Sequence, residues 1–179
     1  MTAILPDIVE LSQHLKNVKY NLNCYRPERC SYCGKAGLWC HGFYYRKSDR
    51  HNDVANSLNP IPIPRFFCPN CIRTTSVLPE CIAPRRWYLW HIQQAVLLQI
   101  LLKKSFRQAS QVVLVGRSTC QRWWHKLKER YLLHGSALRN YYPELGYQED
   151  FNRFWFACLQ KISLSKAMLL CNQLGVVIP

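Results

Sequence analysis

Two cysteine pairs, Cys30-x-x-Cys33 and Cys68-x-x-Cys71, constrain this 179-residue chain more than any other feature in it. Two intervening residues let both thiolates of a pair turn toward one ion in a tight knuckle. Two knuckles supply the four sulfurs of a tetrahedral site. Gly34 follows the first pair and Pro69 stands inside the second, which suits such turns. Joining the pairs closes a loop of 34 residues between Cys33 and Cys68, so the intervening chain must double back, as a β-hairpin would. The expected occupant is structural Zn2+ held by Cys30, Cys33, Cys68 and Cys71. A closed four-sulfur site leaves no coordination position for a substrate, so its role is in folding. The competing reading is four ordinary buried thiols, and Cys40 or His41 could also replace a ligand. Cys24 and Cys81 have no partner at ligand spacing. Cys120, Cys158 and Cys171 fall on apolar helix faces, where cysteines are core residues.

The segments around the pairs alternate in character. Leu5–Tyr20 carries Ile8, Leu11, Leu15 and Val18 at helical spacing, which predicts a short helix. Trp39–Tyr45 is aromatic-rich and strand-like. Lys47–Asn59 is polar and reads as an exposed loop. Ile61-Pro62-Ile63-Pro64 is extended, because each proline biases its predecessor away from helix. Arg65–Phe67 continues it as a strand, and Thr74–Leu78 is a second short β-branched run. After the basic, aromatic junction Pro84–Tyr88 the pattern turns helical over His91–Lys104. Phe151–Ile162 is amphipathic, and Ser163 or Ser165 caps a last helix over Lys166–Leu174, stopped by Gly175.

Gln108–Lys126 reads as a helix, a tight turn and a second helix. Ser105 is the N-cap of a helix over Phe106–Val113, Leu114-Val115-Gly116 turns the chain, and Gly116 or Ser118 starts the next helix. That helix runs to about Leu133 and ends at His134-Gly135, with a further short helix near Ala137–Tyr142. Ala109 and Ser110 are small enough for close packing of the two helices. The turn position that wants a positive φ is Leu114. The second helix sets Arg117, Ser118, Thr119, Gln121 and Arg122 on one side and Cys120, Trp123 and Leu127 on the other. This is the layout of a helix-turn-helix that enters a DNA groove. Arg117 and Arg122 suit guanine edges and Gln121 suits adenine. Lys103, Lys104, Arg107, Lys126, Lys128 and Arg130 suit phosphates, which position without specifying. The competing reading is a plain helical hairpin with a solvated basic face. Trp123-Trp124 reads as core with partial exposure.

Charge separates these possibilities. The net charge is +14, which calls for an anionic partner, most simply double-stranded DNA. Met1–Trp90 has 12 basic and 6 acidic residues, His91–Tyr142 has 9 and 1, and Pro143–Pro179 has 3 and 3. Positive density therefore peaks on the two-helix stretch, and the neutral end reads as packing or assembly surface, a place for a homodimer or partner protein. Met1–Glu10 lacks a basic n-region followed by an apolar run, and no apolar stretch reaches the length of a membrane span. With ten cysteines, this predicts a reducing, cytoplasmic, nucleoid-associated setting with thiols or metal ligands and no membrane.

The runs RPERCSYCGKAGLWCHGFYYR, IPIPRFFCPNCIRTTSVLPE and SFRQASQVVLVGRSTCQRWW together resemble bacterial insertion-sequence transposase-related proteins. In these a zinc-ribbon-like module precedes a helix-turn-helix. The ending FWFACLQKISLSKAMLLCNQLGVVIP is similar to the short forms that lack a catalytic domain. The resemblance covers most of Pro27–Tyr131. It implies Cys30, Cys33, Cys68 and Cys71 as zinc ligands and DNA readers between Arg117 and Arg122. Full transposases of this kind hold two metal ions on three carboxylates. Here only Glu129, Glu144, Glu149 and Asp150 follow the two helices.

The expected fold class is α+β: a small β zinc-ribbon module, then an all-α helix-turn-helix domain with a helical C-terminal tail. The expected segments are 1–29 (helix and linker), 30–83 (zinc ribbon), 84–135 (helix-turn-helix) and 136–179 (tail). The expected function is sequence-specific DNA binding without catalysis, as an accessory or regulatory factor of a mobile element or a transcriptional regulator. The alternative is an RNA-binding or assembly module in which Tyr44, Tyr45, Phe66 and Phe67 stack single-stranded bases. A nuclease or strand transferase is the third.

Overall fold

The computed structural model describes residues 2–47, 58–84, 88–148 and 150–176. Most of the predicted loop at 47–59 and of the junction at 84–88 lies outside the described residues. The chain divides into two compact units, Met1–Leu89 and Trp90–Pro179. The class is α+β: a four-stranded mixed sheet and, among the described residues, seven α-helices, six of them after the sheet.

The first unit is built on β3 (Ile61–Cys68). It pairs antiparallel with β2 (Trp39–Arg46) on one side and β4 (Arg73–Pro79) on the other. β1 (Thr2–Leu5) adds to β4 in parallel, giving the order β1-β4-β3-β2. Pro62 and Pro64 cannot donate to a ladder, and they occupy the half of β3 that precedes its pairing with β4, which begins at Arg65–Ser76. The ladder between β2 and β3 slips between Cys40 and Phe43, where Gly42 takes φ 71° in a bulge. The cysteine-pair segments thus return as an antiparallel pair, the hairpin expected to absorb the residues between them. The helix expected from Leu5 begins later: α1 spans Leu11–Tyr20, and Thr2–Leu5 is strand.

Alternation along β3 and β4 gives the sheet two apolar faces. One buries Phe66, Cys68 and Val77 with Ile8, Tyr25, Cys30 and Leu38. The other buries Ile61, Ile63 and Leu78 with Ile82, and Tyr44 and Leu11 pack against them. α1 contacts β3 through buried His14. His14 Nε2 lies 2.8 Å from the Pro62 carbonyl and Nδ1 lies 2.5 Å from the Tyr25 hydroxyl. A carbonyl only accepts, so Nε2–H donates to Pro62 and Nδ1 accepts from Tyr25, whose hydroxyl burial keeps protonated. The ring is therefore neutral, and burial lowers its pKa below 6.5. The unfolded chain takes up a proton below about pH 6.5 where the folded chain resists it. The stability His14 supplies is full above that pH and is lost as pH falls toward the folded value. Thermal unfolding of wild type and His14→Gln between about pH 7 and pH 5 checks this. The wild type is expected to lose melting temperature more steeply than the variant; parallel slopes would contradict it.

The second unit opens with α2 (Trp90–Leu101), which packs against α3 (Phe106–Val113) and α4 (Arg117–Glu129). Ser105 caps α3 with a full capping box: its hydroxyl accepts from the Gln108 N–H, and the Gln108 side chain accepts from the Ser105 N–H. Three residues, Leu114–Gly116, join α3 to α4. Leu114 is left-handed at φ 54°, ψ 39° and 77% exposed. A side chain costs about 1–2 kcal/mol in that conformation relative to glycine. Leu114→Gly is therefore expected to stabilise the second unit by roughly 1 kcal/mol in denaturant unfolding. A loss of stability would show that Leu114 makes contacts worth more than its strain.

The next helix boundary differs from the expectation. α4 stops at Glu129 and α5 spans Tyr131–Tyr141, so Gly135 lies inside a helix and does not end one. A Cβ on Gly135 would sit 3.3 Å from Arg139 Nη1. Arg139 lies over the Phe154 ring and donates to the Gln148 carbonyl at 3.1 Å. The glycine makes room for that arginine. α6 (Phe151–Lys161) and α7 (Leu164–Gln173) complete the unit, capped by Asp150 and Ser163. Their apolar faces bury Phe154, Trp155, Cys158, Leu159, Met168 and Cys171. Among the described residues no single helix is long and apolar enough to cross a membrane. α6 and α7 pass that test only together, across a 103° bend.

Candidate metal centre and basic helix pair

Cys30 and Cys33 stand on the loop before β2, while Cys68 and Cys71 stand at the end of β3 and in the turn to β4. The antiparallel pairing of β2 with β3 brings both pairs to one end of the sheet. All four Sγ atoms lie within 4.8 Å of one another. Cys30–Cys71 and Cys33–Cys68 are each separated by 3.6 Å, and every cysteine is a free thiol. A tetrahedral ion with metal–sulfur bonds of about 2.3 Å places its sulfurs about 3.8 Å apart. The four cysteines fit a metal ion. Cys40 and His41 are exposed and outside this cluster.

The two knuckles have the same construction. In each, the residue after the second cysteine donates its N–H to the carbonyl of the first: Gly34 to Cys30 and Ile72 to Cys68, both at 2.9 Å. In each, that residue is left-handed, with φ 71° at Gly34 and 56° at Ile72. Glycine adopts this freely; a β-branched isoleucine does not, and Ile72 is 79% exposed. The strained conformation is thus held by closure of the knuckle. The Tyr32 N–H donates to Cys30 Sγ at 3.4 Å and the Asn70 amide to Cys33 Sγ at 3.5 Å. These outer donors were missed from the sequence; their position between paired cysteines was the available signal. The backbone N–H of Lys35 holds the Cys33 thiol down to about 6. Burial, with the neighbouring thiols, pushes Cys71 up to about 12. Each thiol must be deprotonated to bind an ion, so metal affinity rises with pH.

The remaining cysteines do other work. Cys120, Cys158 and Cys171 are buried in the helical unit. Burial pushes the thiols of Cys158 and Cys171 up to about 12, which suits core residues rather than nucleophiles.

On α4, Cys120, Trp123 and Leu127 are buried, as expected. Arg117, Ser118, Arg122, Lys126 and Lys128 are exposed, and Thr119 and Gln121 are half-buried. Lys103, Lys104 and Arg107, at the end of α2 and the start of α3, are exposed too. No Asp or Glu occurs between Trp90 and Lys128. Gly116 is the N-cap of α4, with no side chain to bond the helix start. Trp124 is half-buried and meets Phe151 edge-on at 5.0 Å.

The described carboxylates after α4 include two with structural tasks. Glu144 pairs with Lys161. Asp150 accepts from the N–H groups of Asn152 and Arg153 at 2.8 and 3.0 Å. Those bonds, with Lys103 nearby, hold its carboxyl below the usual range. Glu149 lies outside the described residues.

The fold and site define an α+β protein whose sheet unit carries a four-thiol cluster able to hold a metal ion, followed by a helical unit with a basic helix pair. Residues 30–123, more than half of the chain, match the family described as a domain of unknown function (DUF6431), and the protein belongs to that family. The matched span runs from the first knuckle to Trp123 of α4. No curated protein and no solved structure matches the chain.

Proposed function

We propose that this protein is a zinc-containing, sequence-specific DNA-binding protein related to the insertion-sequence transposases. On this reading it is an accessory or regulatory factor of a mobile element, or a transcriptional regulator, and acts by binding rather than catalysis. One observation carries it: α3, the three-residue turn and α4 as far as Lys128 carry exposed cations and no Asp or Glu, while α2 packs against both helices; Glu129 is the last residue of α4. In a helix-turn-helix the second helix lies in the major groove with its first residues at the base edges. Arg117, Ser118, Gln121 and Arg122 occupy that part of α4 and are the readers. Thr119 lies at the edge of the same face. Lys103, Lys104, Arg107, Lys126 and Lys128 flank them as phosphate contacts. The four-cysteine cluster is a structural zinc site of zinc-ribbon type, because four thiolates from two closed knuckles are the donor set that structural zinc takes.

The matched family span takes in the cysteine cluster and the first part of α4, to Trp123, so both lie within one family domain. Assembly with a second copy or a partner protein would use exposed apolar residues of the C-terminal part, such as Tyr147 and Leu174, because the main apolar faces of α6 and α7 are buried. The RNA or assembly alternative loses part of its platform, since Phe66 is fully buried and Tyr44 packs on the sheet core. The test is salt-dependent binding to duplex DNA, compared between wild type and Arg117→Ala with Arg122→Ala. Absence of duplex binding at moderate salt, or no effect of the substitutions, would remove this reading.

A further inference from the structure

We propose that the open half of the sheet, around Trp39, His41 and Phe67, is a second nucleic-acid site that stacks unpaired bases of single-stranded DNA. Register places Trp39 opposite Phe67, so the two side chains share a face. Arg65, two residues before Phe67, shares it, as does Thr74 opposite Phe67. The Arg65 guanidinium donates to Thr74 Oγ1 at 3.2 Å, which ties it to the neighbouring strand. Phe67 neighbours two rings of β2, with Trp39 at 6.4 Å and His41 at 5.8 Å, both tilted. The bulge at Gly42 interrupts the register between Cys40 and Phe43, which flank His41. The apolar core on this face involves Ile61, Ile63 and Leu78, further along the strands, and does not include the three rings. Trp39 is 62% exposed, an unusual state for the largest apolar side chain.

Charge says what covers the rings. Arg65 is the cation that shares the face of the three rings, and Cys30–Lys47 and Leu58–Pro79 contain no Asp or Glu; Arg73, opposite Cys68, is on the other face, and Arg46, opposite Ile61 at the far end of β2, donates to the Ala83 carbonyl. An apolar protein partner needs no such bias, whereas a polyanion with flat apolar bases needs both rings and cations. Single-strand binding joins a cationic surface that follows the backbone to aromatic rings on which bases stack. Sequence alternation should have separated Phe67 from Phe66, whose side chain points into the opposite core. The choice of DNA over RNA rests on the duplex-DNA reading of α4; the stacking surface does not.

The experiment is fluorescence anisotropy of the full-length, metal-loaded chain with labelled oligo(dT) of about 12 nucleotides, oligo(rU) of equal length and a duplex. Wild type is expected to bind oligo(dT). Trp39→Ala should weaken it about tenfold or more, and Trp39→Phe should retain most of it. His41→Ala should weaken it less. Metal content and unfolding temperature of each variant show that its fold is kept. Trp39→Ala should weaken oligo(dT) binding far more than duplex binding, and Arg117→Ala with Arg122→Ala the reverse, so failure of duplex binding alone removes the α4 reading and not this one. No oligo(dT) binding, or equal affinity for wild type and folded Trp39→Ala, would overturn the proposal. Tighter binding of oligo(rU) than oligo(dT) would overturn its assignment to DNA.

Discussion

Stripping the metal is expected to unfold Met1–Leu89 and to leave Trp90–Pro179 folded. The sheet unit has two small cores, one on each face of the sheet, and the first contains Cys30 and Cys68 themselves. A unit of this size buries a modest apolar area and depends on a staple when its core is divided. Structural zinc in such sites contributes about 10–16 kcal/mol of apparent binding free energy, as much as the whole stability of a typical domain. Without it, the left-handed Ile72 loses the closure that holds it, and the segment Cys30–Leu38 loses its anchor to the end of β3. The helical unit has a separate core, from Trp90 and Leu97 through Trp123 to Trp155 and Met168. The expected result is two thermal transitions in the loaded protein, of which chelator abolishes the first. Cys68→Ser should reproduce the chelated state, with metal content falling from about one ion per chain toward zero. A chelated protein, verified metal-free, that keeps both transitions would contradict the structural role.

Replacing Arg117 and Arg122 by alanine is expected to cost roughly thirtyfold to ten-thousandfold in affinity for a specific duplex, from about 1–3 kcal/mol for each bidentate base contact. The physical basis is the geometry of α4. Its Cys120, Trp123 and Leu127 stripe is anchored in the core, so the opposite face is fixed in direction and leads with Arg117. Loss at these positions should fall on the specific duplex and spare non-specific DNA. Lys104→Ala should behave differently: it should weaken all duplexes alike and reduce the slope of log affinity against log salt by about 1. If both substitutions changed only the salt slope, α4 would be a phosphate-binding face and would read no sequence.

The parts of this fold that sequence makes legible are those fixed by local rules. Ser105 with Gln108 is a capping box in the sequence and in the structure. The aromatic, proline and β-branched runs mark β2, β3 and β4, and a shared metal site calls for a return between the cysteine pairs, which the antiparallel strands supply. What was hidden depends on distant partners. Thr2–Leu5 becomes a strand because β4 offers it an edge, which nothing within four residues can announce. Gly135 looks like a helix stop until the Arg139 side chain that needs its space is placed. Phe66 and Phe67 look equivalent in an aromatic run, and only the sheet decides that one is fully buried and the other half-buried on the opposite face.

On the proposed function, α4 reads duplex sequence. The most direct test of this is selection of bound duplexes from a randomised library, with wild-type and Arg122→Ala proteins in parallel. One enriched motif is expected for wild type, and relaxation at a single base position of that motif for the variant. A wild-type protein that enriches no motif, or a variant that enriches the identical one, would contradict it.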